Sequence, residues 1–222
     1  MRRLAPVALA ALLVAGCGAG QKGQAWLWVT RDRGARVLLV GRVPAGLTAM
    51  QALQRVADVK TRYGGRFVQS INGIAGNLTA QRDWFYFVNG YEADRGAAEY
   101  RLRPGDVEWW DFRSWAAAGG EHVPVVVGAF PEPFVHGYGG KRRQAVVFGA
   151  PSAGRALARV VHGTYRGRSG TAPPGANTLR VGPGVTRFTG QASTAGGPVT
   201  FVFHGNWRAL AGGKFRYRYE VR

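Results

Sequence analysis

Residues 83–96 read DWFYFVNGYEADRG, five aromatic rings around an Asn-Gly pair. Side chains alternate across a strand, so Trp84, Tyr86 and Val88 share one face and Phe85 and Phe87 the other. Asn89-Gly90 suits a two-residue turn with positive φ and closes the strand. The same sign, Asn72-Gly73, closes FVQSI at 67–71. Upstream, AWLWVT and RVLLVGRV read as a hairpin over 25–43, turning around Asp32-Arg33-Gly34. Thr48 and Gln51 fit a capping box with Thr48 as N-cap. A helix over 48–60 follows, with Met50, Leu53, Val56 and Ala57 on one face and Gln51, Gln54, Arg55 and Asp58 opposite. Downstream, the Pro104-Gly105-Asp106 turn leads into VEWWDF at 107–112. A hairpin, one helix and further strands predict an α+β, β-grasp-like domain over 25–115, a mixed sheet with the helix on one face.

That arrangement raises a question about the sheet's other face. Trp26 and Trp28 oppose Leu27 and Val29, and Val107 and Trp109 oppose Trp110 and Phe112. Both faces are apolar, and soluble proteins rarely leave so large a patch open. Either the C-terminal half of the chain or core packing covers the second face, or it receives a flat, partly apolar ligand or a partner protein. Trp and Tyr suit each role, because they combine large area with a polar handle.

Small residues at 116–120, AAAGG, form a plausible joint. Residues 121–222 read as a β-rich α+β domain. VPVVVGAFPEPFVHGYGG is extended and broken by Pro131 and Pro133. AVVFGA (145–150) predicts a strand, and Ser152 caps a helix that runs through Val161 and ends at Gly163. FVF (201–203) sits in an alternating strand. KFRYRYEVR (214–222) alternates so cleanly that it predicts a last strand with Phe215, Tyr217, Tyr219 and Val221 inward. AVVFGAPSAGRALARVV faintly echoes VLLVGRVPAGLTAMQALQRV, a candidate decayed repeat.

The chain begins MRRLAPVALAALLVAGCGAG. Arg2 and Arg3 precede an apolar run over 4–15 that is too short to span a bilayer, so it reads as a secretory leader. It ends at Val14-Ala15-Gly16-Cys17, which resembles the lipobox of bacterial lipoproteins. That resemblance implies a leader over 1–16, a lipidated Cys17, a linker over 17–24 and an extracytoplasmic protein anchored to the bacterial cell membrane. Cys17 is the only cysteine, which excludes internal disulfides and Cys-based metal sites. Net charge is +18, and after residue 115 there are 14 Lys and Arg against three Asp and Glu. Outside a membrane, such a surface suits anionic lipids or wall polymers, with nucleic acid not expected.

The segments FVQSINGIAG, DWFYFVNGYEADRGAAEY and RLRPGDVEWWDF together resemble a bacterial domain-of-unknown-function family related to the C-terminal domain of transcobalamin and intrinsic factor. The resemblance covers about residues 26–115 and rests on S-I-N-G, W-x-Y-x-V-N-G, G-A-A-x-Y and the P-G-D turn. It implies a β-grasp-like fold and, in the animal relatives, a role in holding cobalamin beside a helical barrel, which this chain lacks. Trp84, Tyr86, Asn89, Gly90 and Tyr91 are the candidate ligand-binding residues. The two rings on one face offer a platform, Gly90 allows close backbone approach, and Asn89 supplies both donor and acceptor.

Catalytic signs are weak. His122, His136, His162 and His204 lack metal-ligand spacing. GYGGKRR fails the phosphate-loop pattern, with Val135 in place of the first Gly and Arg142 in place of Ser/Thr, and reads as a basic surface loop. Asp83, Glu92, Asp94, Asp106, Glu108 and Asp111 lie near the aromatic strands, but Asp83 and Asp106 sit at strand starts, where carboxylates bond local N–H groups. No G-x-S-x-G is present. The expectation is therefore a non-enzymatic, lipid-anchored extracytoplasmic protein that captures a corrinoid or other flat small ligand for uptake, with a transporter or envelope protein as partner. The alternative is a cell-envelope interaction or structural module without a small ligand.

Overall fold

The computed structural model describes residues 23–116 and 122–222. Cys17, the leader and nearly all of the joint lie outside the described residues. Strands β1 (Gln24–Arg31) and β2 (Arg36–Pro44) form the expected hairpin. Its tip places Asp32, Arg33 and Gly34 at positive φ. Asp111 secures that tip, since its carboxylate accepts the backbone N–H groups of Arg33 at 3.1 Å and Gly34 at 3.0 Å. Helix α1 (Ala49–Gln54) starts with both capping-box bonds: Thr48 Oγ1 accepts from the Gln51 N–H, and Gln51 Oε1 accepts from the Thr48 N–H. The helix is shorter than its apolar period suggests. The chain from Val59 is drawn into a small sheet, β3 (Val59–Arg62), β4 (Phe67–Ile71) and β5 (Ile74–Ala75).

Strands β6 (Arg82–Val88), β7 (Tyr91–Glu92) and β8 (Val107–Ser114) complete the main sheet in the order β2-β1-β8-β6-β7. β8 runs parallel to β1 and antiparallel to β6. A hairpin, a crossing helix and a central parallel pair give the expected mixed β-grasp arrangement. Leu27, Val29, Trp84, Val88, Trp110 and Phe112 face Ala49, Met50, Ala52 and Leu53 of the helix in one buried cluster.

The second half forms a separate sheet ordered β10-β9-β11-β13-β12. Two short turns of helix at Val127–Ala129 and α2 (Glu132–Val135) occupy the segment read as extended. β9 (Ala145–Phe148), α3 (Pro151–Val160) and β10 (Thr164–Tyr165) make a parallel β-α-β unit. β11 (Asn177–Gly182) and β13 (Thr200–His204) continue the parallel order, with β12 (Arg187–Gln191) antiparallel at the edge. Helix α4 (Trp207–Ala211) follows. This largely parallel sheet does not repeat the first half's mixed one. Ser152 is not the cap of α3: Ala150 is, with Pro151 at the first helical position, where its missing N–H costs nothing. The helix leaves through His162 at positive φ, and the Gly163 N–H reaches back to Ala158 O.

The clearest correction concerns the C-terminus. KFRYRYEVR is not a strand but a run of turns, with Tyr217 at φ 64° and one bridge between Val221 and Phe188. Its alternation still reports burial. Tyr219 is buried against Phe87 and Trp109, Tyr217 meets Trp28 edge-on at 4.8 Å, and Phe215 and Val221 pack on the second half's core. Together with Val126 and Ala129, this strap covers the sheet's second face, where Trp28, Phe87, Val107 and Trp109 form their own cluster. The C-terminal half is thus what the second aromatic face packs against.

Candidate functional site

Of the five candidate ligand-binding residues, Trp84, Asn89, Gly90 and Tyr91 are buried and Tyr86 is partly buried. Trp84 is 5% exposed, and its indole N–H donates to Ile74 O at 2.9 Å. Tyr86 is half-buried and stacks on Trp110, with ring centroids 4.8 Å apart, while its hydroxyl donates to Arg95 O. Asn89 is fully buried at φ 51°. Its amide donates to Asp106 Oδ1 at 2.7 Å and Gly137 O at 2.9 Å, and its carbonyl accepts from the Val107 N–H at 2.8 Å. Gly90 faces the second half, where an added Cβ would lie 2.9 Å from Val126 O. The buried Tyr91 hydroxyl donates to Gly197 O at 3.0 Å. The Asn-Gly turn that reads as a ligand loop is the joint between the halves.

That joint also shapes a cleft. Bonds across it include Asp94 N–H to the Tyr138 hydroxyl at 3.1 Å and Gly139 N–H to the Tyr100 hydroxyl at 3.0 Å. In front of them lies a cavity of about 520 Å³, lined by Asp94 and Arg95 from the first half and by Tyr138, Lys141, Arg142, Arg143 and Gly196 from the second. A smaller recess of about 300 Å³ shares Arg142 and Arg143. The turn Tyr138–Lys141 closes with glycines at positive φ, at 139 and 140, and the three cations that follow all line the cleft.

Charge in the cleft is one-sided, four cations against one carboxylate. The Arg95 guanidinium beside Asp94 holds that carboxyl below its usual range, helped by the Tyr138 hydroxyl, so Asp94 stays ionised. Arg143 is anchored: its Nε donates to Gly196 O at 2.7 Å and one terminal nitrogen to Gly175 O at 3.2 Å. Arg142 donates to His162 O. Lys141 is exposed. Behind the cations stand Tyr138, Tyr91 and Tyr100, with ring centroids 5.6 and 5.2 Å from Tyr138. Burial raises all three phenols, Tyr91 to about 12, so each is a neutral hydroxyl at physiological pH.

Of the expected site residues, Tyr86 and Tyr91 stand behind this cleft and none lines it. Asp94, Arg95, Lys141, Arg142 and Arg143 were not singled out as a site by the sequence. Lys141, Arg142 and Arg143 lie in GYGGKRR, which reads as a basic surface loop, and Asp94 is one of the carboxylates beside the aromatic strands. Among the described residues there is no group of three or more His, Cys, Asp or Glu that could hold a metal ion. Asp83 and Asp106 do bond local backbone, accepting from the N–H groups of Trp84 and Arg103, each at 2.8 Å.

The first half is an α+β domain of β-grasp type. Residues 46–114, from the start of the helix to the last strand of the main sheet, match a family described as Domain of unknown function (DUF4430). Among solved structures, a Ruminococcus gnavus protein provisionally described as metal binding matches 42% of this chain and 98% of its own, at 14% identity and TM-score 0.35. Haptocorrin in complex with Cbi matches 41% of this chain at 15% identity and TM-score 0.34, over a quarter (25%) of the haptocorrin chain. No curated protein matches the sequence.

Proposed function

We propose that this is an extracytoplasmic, lipid-anchored binding protein whose inter-half cleft captures a small anionic ligand bearing a flat or partly apolar group. The observation that carries the reading is the cleft of about 520 Å³ with four cations against one carboxylate and the Tyr138 ring in its lining. Ligand pockets commonly measure about 300–1,000 Å³ and favour domain interfaces. Arginines already held by backbone carbonyls lose little freedom when an anion arrives, which favours tight capture. The resemblance to the transcobalamin domain supplies a corrinoid as the specific candidate, and uptake as the purpose. Cobalamin carries a phosphodiester, whereas cobinamide has none, so the pair separates recognition of the anion from recognition of the macrocycle.

Calorimetric titration with inorganic phosphate, pyrophosphate, citrate, cobalamin and cobinamide tests the reading. At least one anion should bind, and Lys141→Ala with Arg142→Ala should weaken it. A charge-assisted hydrogen bond contributes about 1.5–3 kcal/mol, roughly tenfold or more in affinity per cation lost. Silence from every compound would overturn ligand capture. Anchoring is tested separately by fatty-acid labelling, which should disappear in Cys17→Ser.

A further inference from the structure

The strap does not cover the whole second face of the main sheet. At its β2 margin, Trp26 (36%), Val37 (48%), Leu38 (43%) and Val40 (44%) remain exposed. Beside them runs a groove of about 190 Å³, floored by Trp28 and Val107 and walled by Tyr217, Phe130 and Pro131. This volume is below that of an ordinary small-ligand pocket but suits one large side chain. Arg42 stacks over Trp26 at 4.4 Å, and Arg216 lines the groove, giving it a positive rim. The one carboxylate in the groove, Glu132, is occupied by His136.

We infer that this groove and its aliphatic shelf form a protein-docking site for a polypeptide segment that inserts an aromatic or large aliphatic anchor flanked by Asp or Glu. An apolar pocket with a charged rim is the usual anatomy of a binding hot spot. The rim's charge selects an acidic partner. A second copy is disfavoured, because the chain carries +18 and both rims would present arginines. A concave groove with a buried indole floor also receives a side chain better than a lipid surface, on which apolar groups must protrude. β2 is the outer strand of its sheet, but a register shift opposite Val29/Thr30, Arg42 and Pro44 blunt its edge. Side-chain capture rather than strand addition therefore drives the contact.

Selection of a displayed library of 12-residue peptides on the purified protein, with counter-selection on Leu38→Glu, tests the inference. Enriched peptides should place an aromatic or leucine residue among acids, and lose at least tenfold in affinity on Leu38→Glu and on Arg42→Glu. Both positions are exposed, so both variants should keep the wild-type melting temperature. Lys141→Ala, in the cleft, should leave peptide binding unchanged. No enrichment over the counter-selection would overturn the inference, as would enriched peptides that bind through charge alone. Binding to phosphatidylglycerol vesicles that Leu38→Glu abolishes while no peptide is selected would assign the face to a membrane instead. A concentration-dependent dimer lost in Leu38→Glu would assign it to a second copy.

Discussion

Truncating Tyr219 to alanine tests whether the C-terminal strap is what makes the doubly aromatic sheet tolerable. Tyr219 is 6% exposed and lies 5.3 Å from Phe87 and 5.6 Å from Trp109, ring centroid to centroid, with both contacts edge-on. A buried aromatic side chain removes about 150–250 Å² from water. At roughly 25 cal/mol per Å² that amounts to about 4–6 kcal/mol, an upper figure because the unfolded chain is already partly compact. Large-to-small truncations of buried aromatics cost about 3–5 kcal/mol. We therefore expect Tyr219→Ala to lose about 3–5 kcal/mol in urea unfolding and to bind a hydrophobic dye, since Phe87 and Trp109 would then meet solvent. Glu220→Ala, one residue away and outward-facing, should change stability by less than about 0.5 kcal/mol. A Tyr219→Ala protein within about 1 kcal/mol of wild type and silent to dye would refute the strap.

Gly34→Ala should destabilise the same joint from the other side, because a Cβ at φ 77° would fall 1.4 Å from Tyr217 O, and a lowered urea midpoint would show it. Glu108 is fully buried, with Oε1 accepting from the Trp110 indole N–H at 2.6 Å and Oε2 without a hydrogen-bond partner among the described residues, and burial pushes its carboxyl well above 4.5. A raised carboxyl favours the protonated native state, so wild-type stability falls as pH climbs past about 4.5. Glu108→Gln keeps the indole's acceptor and should gain on wild type progressively as pH rises above about 4.5, which paired urea melts at increasing pH would follow. His136 is raised above 6.5 by its hydrogen bond to Glu132. Its stabilising contribution is full below 6.5 and fades as pH rises through the raised value, so His136→Ala should flatten the stability profile in that window.

Local chemistry made the first half legible. A capping box, two Asn-Gly pairs and an alternating aromatic strand each depend on neighbours within a few residues, and each stands where the sequence places it. The C-terminal run shows the limit of the same signal. Alternation records which side chains are buried, not whether the backbone finds a partner strand. At 214–222 the backbone makes local turns, as in Arg216 N–H to Gly213 O and Arg218 N–H to Phe215 O, and meets other elements at single points, Val221 exchanging bonds with Phe188 and Tyr219 O accepting from the Val127 N–H. The four inward residues bury themselves against two different sheets, which a straight strand on one sheet could not do. The cleft was illegible for a related reason. Asp94 and Arg95 lie more than forty residues from Lys141–Arg143, and Gly196 lies a further fifty beyond, so only packing of the halves gathers them.

That dependence assigns the aromatic strand its place in function. Asn89 and Gly90 do not line the proposed site, yet they fasten together the two halves that form it. Asn89 ties the end of β6 to Gly137, immediately before the Tyr138–Lys141 turn that carries the cleft's cations, and Gly90 O accepts the Val126 N–H at 2.8 Å on the opposite side of the joint. The left-handed backbone at both residues, φ 51° and 86°, directs the amide and the carbonyl across the boundary at once. A residue that could not adopt it would strain the turn and move the basic loop with it. The same positive-φ pair that a sequence reads as a local hairpin is thus a long-range fastening, and the geometry of the proposed anion site rests on it.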